Sequence, residues 1–293
     1  MKKWFSFGGL AVLLVACTLN DPTPSDQVCL VTEMTRFQQK STGLQEISRQ
    51  SFAYERGQLT YYQDQTPDQS TAFYFRYIGG KVATAYTADN STVLSLEYDK
   101  YERIEKASFL INDKEQTVFS LFYASENRSV RLIRVVETRV MLPTNSFIAS
   151  RTFQFSYQEI AGNTQDIVSQ TVQNGYKDGS RTEEEFTFEQ DAQNHSPYYD
   201  TNQAIVLTLL ALTNHSESNA AQYLQRYDSK SVTHEIVSTN GTTSRRELTQ
   251  FTTDFDSNFN PVRSTQHTRI TIPGDSFPKD EYYQQTLKYN CIE

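Results

Sequence analysis

The sequence predicts an all-β protein built from successive antiparallel hairpins, gathered into one large twisted or open barrel-like sheet. Three observations predict it. The 293 residues include 18 Tyr and 18 Phe, so aromatics reach 13% although apolar residues are only 37%. These rings recur at alternate positions, the spacing that puts one face of a strand into a core. Each alternating run is followed by a cluster of Asp, Asn or Gly, the residues that turn a chain back on itself. A chain with so many large rings can bury a core, which argues against wholesale disorder. Lys and Arg number 27 against 35 Asp and Glu. That acidic balance argues against nucleic acid as a partner.

The first segment is an address. Met1-Lys2-Lys3 is cationic, and Trp4–Ala16 is apolar apart from Ser6 and two glycines. The run is too short to span a bilayer comfortably and reads as a secretory signal. It ends Leu14-Val15-Ala16-Cys17, which resembles the bacterial lipobox, where the cysteine is acylated and the signal is cut before it. The alternative is an ordinary signal peptide with a chance cysteine. The lipobox reading divides the chain into a signal peptide (1–16), a lipidated Cys17 with a tether (17–28), and a single hairpin-repeat β domain (29–293). Two or three acyl chains anchor stably where one does not. Loss of Lys2 and Lys3 leaves 25 basic residues against 35 acidic, a net charge of −10. Anionic headgroups repel such a surface, so the membrane partner is reached through the lipid on Cys17. Thr18, where Asp would favour inner-membrane retention, leaves outer-membrane sorting open.

The hairpin copies follow. Phe52 and Tyr54 precede Arg56-Gly57 and Leu59. Phe73, Phe75 and Tyr77 precede Gly79-Gly80 and Val82. Leu94, Leu96 and Tyr98 precede Asp99–Arg103 and Ile104. Phe119, Leu121 and Tyr123 precede a turn over 124–129 and Val130. Phe153, Phe155 and Tyr157 repeat the pattern. Phe186 and Phe188 precede a turn over Glu189–Asn194, Tyr227-Asp228 one over Ser229–Val232, and Phe255-Asp256 one over Ser257–Val262. A lone hairpin cannot bury its own face, so neighbours must join into a continuous sheet. Polar residues between the rings, such as Gln154 and Ser156, are expected to meet water.

One run breaks the period. Asn202–Asn214 is apolar nearly all round and predicts a short buried helix across the sheet or at its end. Asp200 or Thr201 would cap its start and Asn214 its end. A strand is the alternative, since periodicity does not separate short apolar runs.

Three cysteines are present. With Cys17 lipidated, Cys29 and Cys291 remain, and an oxidising compartment makes a disulfide between them the economical reading. Two free buried thiols are the alternative.

Signatures of catalysis are missing. No G-x-S-x-G, P-loop, G-x-G-x-x-G or H-E-x-x-H occurs. None of His195, His215, His234 and His267 lies within four residues of another, and each reads as a loop histidine. Asp254, Asp256, Asn258 and Asn260 alternate as Ca²⁺-loop ligands do. However, Phe259 stands where glycine is needed and Thr265 where a bidentate Glu should be. A turn whose Asp bonds its own backbone is the favoured reading there. Glu183 and Glu185 share one strand face and read as a solvated run. No metal or cofactor is expected.

The copies Phe52–Leu59 and Leu96–Ile104 resemble the YD-type hairpin repeat, Y-x-Y-D-x-x-G-R-L. Together with the lipobox, an early Cys29, the apolar run and a terminal Tyr289-Asn290-Cys291, they resemble the secreted hairpin-repeat lipoproteins of Bacteroidota. That resemblance implies a fold and an address, with no catalytic residues. The sequence is therefore read as a lipid-anchored, non-enzymatic cell-envelope protein at the outer membrane, on its periplasmic or surface face. It would act as a binding or scaffold module with a glycan, peptide or envelope-protein partner. The alternatives are a surface glycan or peptide binder for nutrient capture and, third, a hydrolase using acidic residues.

Overall fold

A computed structural model of the chain describes residues 28–124, 131–161, 164–215, 217–238 and 242–292. Cys17 and most of its tether lie outside the described residues. The strands are β1 (Val28–Lys40), β2 (Gly43–Glu55), β3 (Gln58–Gln65), β4 (Ser70–Ile78), β5 (Lys81–Tyr86), β6 (Thr92–Tyr98), β7 (Ile104–Ile111) and β8 (Glu115–Tyr123). They continue as β9 (Leu132–Met141), β10 (Ser146–Ala161), β11 (Thr164–Tyr176), β12 (Arg181–His195), β13 (Tyr227–Val237), β14 (Thr243–Phe255), β15 (Pro261–Thr271) and β16 (Lys279–Ile292). Every strand pairs antiparallel with its sequence neighbours, and β1 pairs with β16, so sixteen strands close into a barrel. The all-β hairpin architecture is as the sequence predicts. Closure is the feature that the open-sheet alternative lacked, and it leaves no unpaired strand edge.

The seam is stapled. Cys29 stands directly opposite Cys291 across β1 and β16, and a disulfide joins them over a sequence separation of 262. Because the strand number is even, Val28 and Ile292 leave the barrel at one end, here the terminal end. The turns at 56–57, 79–80, 99–103 and 256–260 are at that end too. The turns at 66–69, 87–91, 112–114 and 177–180 form the opposite end.

Inward and outward faces follow the predicted parity. On β10, Phe153 (0% exposed), Phe155 (6%) and Tyr157 point to the core, while Gln154 and Ser156 are exposed. On β12, Phe186 and Phe188 face inward, and Glu183, Glu185, Thr187 and Glu189 face outward. Two predicted turns are absent. The segments 189–194 and 229–232 continue as strand within β12 and β13, which two register shifts let pair through Asp191↔Asp228 to His195↔Tyr227.

The hairpin repeat has a physical basis that alternation alone does not reveal. In four consecutive copies the last ring of the inward run donates its hydroxyl to the carbonyl of the first apolar residue after the preceding terminal-end turn. Tyr77 reaches Leu59 O (2.9 Å), Tyr98 reaches Val82 O (2.8 Å), Tyr123 reaches Ile104 O (2.8 Å) and Tyr157 reaches Leu132 O (2.7 Å). A cation just before that apolar residue lies over the same ring: Lys81 on Tyr98, Arg103 on Tyr123, Arg131 on Tyr157. Three of these hairpins are thereby latched to the one before by a hydrogen bond and a cation–π contact, and the Tyr77 hairpin by the hydrogen bond.

Sixteen strands enclose more space than inward side chains fill. The connection from β12 to β13 fills much of it. Residues 196–226 carry helix α1 (Ala204–Leu212) and a 3-10 turn at Ala220–Tyr223. Val206, Leu207, Leu209, Leu210 and Leu212 are buried in one cluster with the inward rings of the wall. The apolar run is thus a helix, as predicted, but it plugs the lumen and does not lie across a sheet. Its predicted caps are also corrected. Gln203 occupies the N-cap without a side-chain bond and Thr213 the C-cap. Asp200 is committed elsewhere, accepting from the Cys29 backbone N–H at 2.9 Å.

Candidate functional site

Beyond the plug, the lumen remains open. A cavity of about 920 Å³ runs from Leu210 and Tyr223 of the plug to Thr66 and Gln69 at the end opposite the termini. Its wall is polar where β13–β16 meet β1–β3, because the inward parity of those strands carries Thr, Gln and charged residues. Ser264, Gln266 and Thr268 of β15 are all buried inward.

The plug is fixed to the wall by a buried ion pair. Glu137 of β9 is fully buried and holds the Arg151 guanidinium of β10 (Nε–Oε2, 2.7 Å). Arg151 in turn donates to the carbonyls of Leu212 (2.7 Å), His215 (3.3 Å) and Glu217 (2.6 Å). It thus satisfies the carbonyls that a helix C-terminus leaves open and matches the dipole there. Gln170 adds a bond to Ser218 O and accepts from Ala221 N–H. Asp166 accepts from the backbone N–H groups of Arg226 and Tyr227, where the plug rejoins the wall.

Inside the cavity, His234 of β13 lies flat on Phe186, 4.2 Å between ring centres. Glu184 binds its Nε2 at 2.9 Å and Glu247 approaches its Nδ1 at 3.8 Å. Burial pulls the imidazole pKa down, but the hydrogen bonds to the two carboxylates outweigh it and raise the value to about 9. His234 is therefore a cation at neutral pH, and Glu184 and Glu247 are its counter-charges. Asn174 and Arg245 occupy their remaining oxygens. A facing pair of carboxylates engaged in this way is not a free acid–base couple of the kind a glycosidase needs.

A second group surrounds Gln50 of β2. Its amide donates to Tyr62 (3.2 Å) and Tyr223 (3.1 Å) and accepts from Tyr198 (3.4 Å). On one side of it stands Asp64, raised by burial; on the other stands Arg36, lowered by burial. The Arg36 guanidinium lies 4.4 Å over the Tyr283 ring, and its Nε has no hydrogen-bond acceptor. Asp228, deeper on β13, is raised to about 6 by burial.

The residues singled out from sequence are placed as follows. Asp256 spends its oxygens on the N–H groups of Asn258 and Asn260 and on the Asn260 amide, with Asp254 on the outward face. This is the self-bonding turn. Among the described residues no group of three or more His, Cys, Asp or Glu is arranged to hold a metal. Glu183 and Glu185 are solvated. His234 departs from the loop reading, because it sits mid-strand with its ring inside. Arg36, Asp64, Glu184 and Glu247 were not anticipated. Parity could have found two of these five, since Glu184 is two residues before Phe186 and His234 is two after Val232.

Fold and site together define a plugged, sixteen-stranded antiparallel barrel with a polar, open lumen end. Two solved structures are similar in fold. One is a porin-like protein from Bacteroides uniformis, TM-score 0.55 and 9% identity, covering 89% of this chain and 96% of that one. The other is a porin-like protein from Bacteroides vulgatus, TM-score 0.51 and 12% identity, covering 89% and 98%. No protein-family model matches the chain, and no curated protein matches it in sequence.

Proposed function

We propose that this is a lipid-anchored, non-enzymatic protein of the bacterial outer membrane that binds a small polar solute in the open half of its lumen. The observation that carries the binding role is the 920 Å³ cavity lined by polar and charged side chains. A pure scaffold needs no such space, and every buried polar group left facing it costs stability. Anchoring by lipid fits the outer wall. Spanning barrels turn an apolar band to lipid and a polar face inward. Here the outward positions of β15 include Arg263, Thr265 and Arg269, and those of β12 include Glu183, Glu185 and Glu189. Each arginine at a bilayer midplane would cost about 2–4 kcal/mol. The resemblance to Bacteroidota hairpin-repeat lipoproteins supports the same reading. It also gives an orientation. A lipid on Cys17 tethers the terminal end, so the open mouth faces away from the membrane.

Two measurements test this. Cys17→Ser should abolish labelling of the protein by a clickable fatty acid in cells. Ser48→Cys places a thiol on the cavity wall, with Cys29 and Cys291 already paired. A small maleimide should label that thiol in the intact protein, and a bound solute should slow the reaction. A thiol that stays unreactive until the protein is unfolded would refute a solute-accessible lumen.

A further inference from the structure

The open lumen holds two opposite charges that do not pair with each other. Arg36 and Asp64 both line the cavity. Neither has an ion-pair partner among the described residues. Glu217 and Glu281 act on Arg36 only through the field, beyond ion-pairing distance, and Glu217 accepts from the Asn219 N–H of its own loop at 2.7 Å. Asp64 faces the tyrosines of the Gln50 group and no cation.

Strand register fixes the separation of their Cα atoms. Arg36 is directly opposite Ser48, and Asp64 is directly opposite Gln50, two residues further along β2. With strands about 4.8 Å apart and a rise of about 3.3 Å per residue, the two Cα atoms lie about 12 Å apart on one curved wall. An extended tripeptide spans about 10 Å between its termini, at up to 3.3–3.6 Å per residue. Between the two charges stand the Gln50 amide and the Tyr62 and Tyr223 hydroxyls, groups that can bond peptide units.

We propose that the open half of the lumen binds short zwitterionic peptides of about three residues, with the carboxylate on Arg36 and the ammonium on Asp64. This rests on the solute-binding reading above and names its ligand. A neutral sugar would leave both charges desolvated and unpaired. A simple anion would satisfy Arg36 but meet the acidic side chains of Asp64, Glu217 and Asp228 across the cavity. A guanidinium stacked on Tyr283 is held flat, the posture for a two-point grip on a carboxylate.

Calorimetric titration of the full-length protein with trialanine, N-acetyl-trialanine and trialanine amide tests it. Trialanine should bind, and each cap should weaken binding about tenfold or more, as for the loss of one charge-assisted contact. Arg36→Met should weaken trialanine equally but leave the amide unchanged. Asp64→Asn should weaken trialanine and leave the acetylated peptide unchanged. Should either variant fail to fold, the cap series on the natural protein decides alone. Caps without effect, or no binding of trialanine, would overturn the proposal. If trialanine fails while a neutral sugar slows maleimide labelling at Ser48→Cys, the peptide inference falls and the solute-binding reading stands. If that thiol stays unreactive, both fall.

Discussion

Arg151→Met should uncouple the plug from the wall. The side chain makes one ion pair and three carbonyl contacts, all in the interior. Its removal leaves the fully buried Glu137 carboxylate with only His215 Nδ1, 3.5 Å from an Oε1 that makes no hydrogen bond in the intact protein. It also orphans carbonyls at Leu212, His215 and Glu217. Breaking one side of a buried pair costs about 3–5 kcal/mol, and the carbonyls sit within that range because water in the open lumen can reach some of them. Urea unfolding of the purified protein measures the total. The double variant Glu137→Leu with Arg151→Met removes the stranded charge and should recover much of the loss. It should not recover the plug's docking. Amide hydrogen exchange over 204–226 should therefore remain faster than in the natural protein while the strands regain protection. If the double variant protects 204–226 fully, apolar packing of α1 holds the plug and Arg151 does not. If Arg151→Met alone costs less than about 1 kcal/mol, the reasoning about the buried charge is wrong.

Other consequences follow from single interactions. Phe155→Ala should cost about 3–5 kcal/mol as a buried ring and Gln154→Ala under about 0.5 kcal/mol as a surface site; a reversed order in urea unfolding would refute the inward parity. Tyr123→Phe should cost about 1–1.5 kcal/mol by leaving the Ile104 carbonyl unpaired, whereas Tyr101→Phe, exposed in a turn, should be silent. Reduction of Cys29–Cys291 should lower the urea midpoint, with about 5 kcal/mol as the ceiling for so long a loop; an unchanged midpoint would show that the β1–β16 ladder closes the barrel unaided. His234 is raised from an ordinary 6.5 to about 9, so its contribution is complete below pH 6.5 and is lost as pH rises through about 9. Discounted for solvent in the cavity, it is about 1–2 kcal/mol, and the loss between pH 6.5 and 9 should be absent in His234→Gln.

Much of the wall was legible because a pleat leaves a signature of period two. Phe153, Phe155 and Tyr157 announced their face without any neighbour being known. The plug was half legible: an apolar run of Asn202–Asn214 said helix, but its place inside a barrel depends on sixteen strands enclosing unfilled space, a property of the whole chain. The missed turns at 189–194 and 229–232 have a local cause. Asp191 and Asp228 are turn-forming types, yet in β12 and β13 they are cross-strand partners within a long ladder that runs on to His195↔Tyr227. The tyrosine latches lay in plain view as Tyr–turn–cation–aliphatic, and only the hydroxyl's reach to the preceding hairpin shows why a tyrosine and not a phenylalanine ends the runs at Tyr77, Tyr98, Tyr123 and Tyr157.

The lumen charges were the least legible, and the reason bears on function. Arg36, Asp64, Glu184, His234 and Glu247 are ordinary strand residues in sequence, separated by up to 211 positions from Arg36 to Glu247. What makes them a site is that barrel closure brings β1–β3 beside β13–β16, so both ends of the chain turn polar inward faces to one space. The middle strands β4–β11 turn mostly rings and aliphatics inward, with Glu137, Arg151, Asp166 and Gln170 set among them to hold the plug, and the plug covers much of that face. The lumen is thus divided along the chain's own sequence into a mostly apolar part that holds the plug and a more polar part that stays open. A barrel meant only to be stable would have continued the apolar pattern around the seam, where Met34, Val232 and Leu287 show that such residues fit. Arg36 and Asp64 break that pattern without satisfying one another, and a ligand carrying both charges is what would complete them.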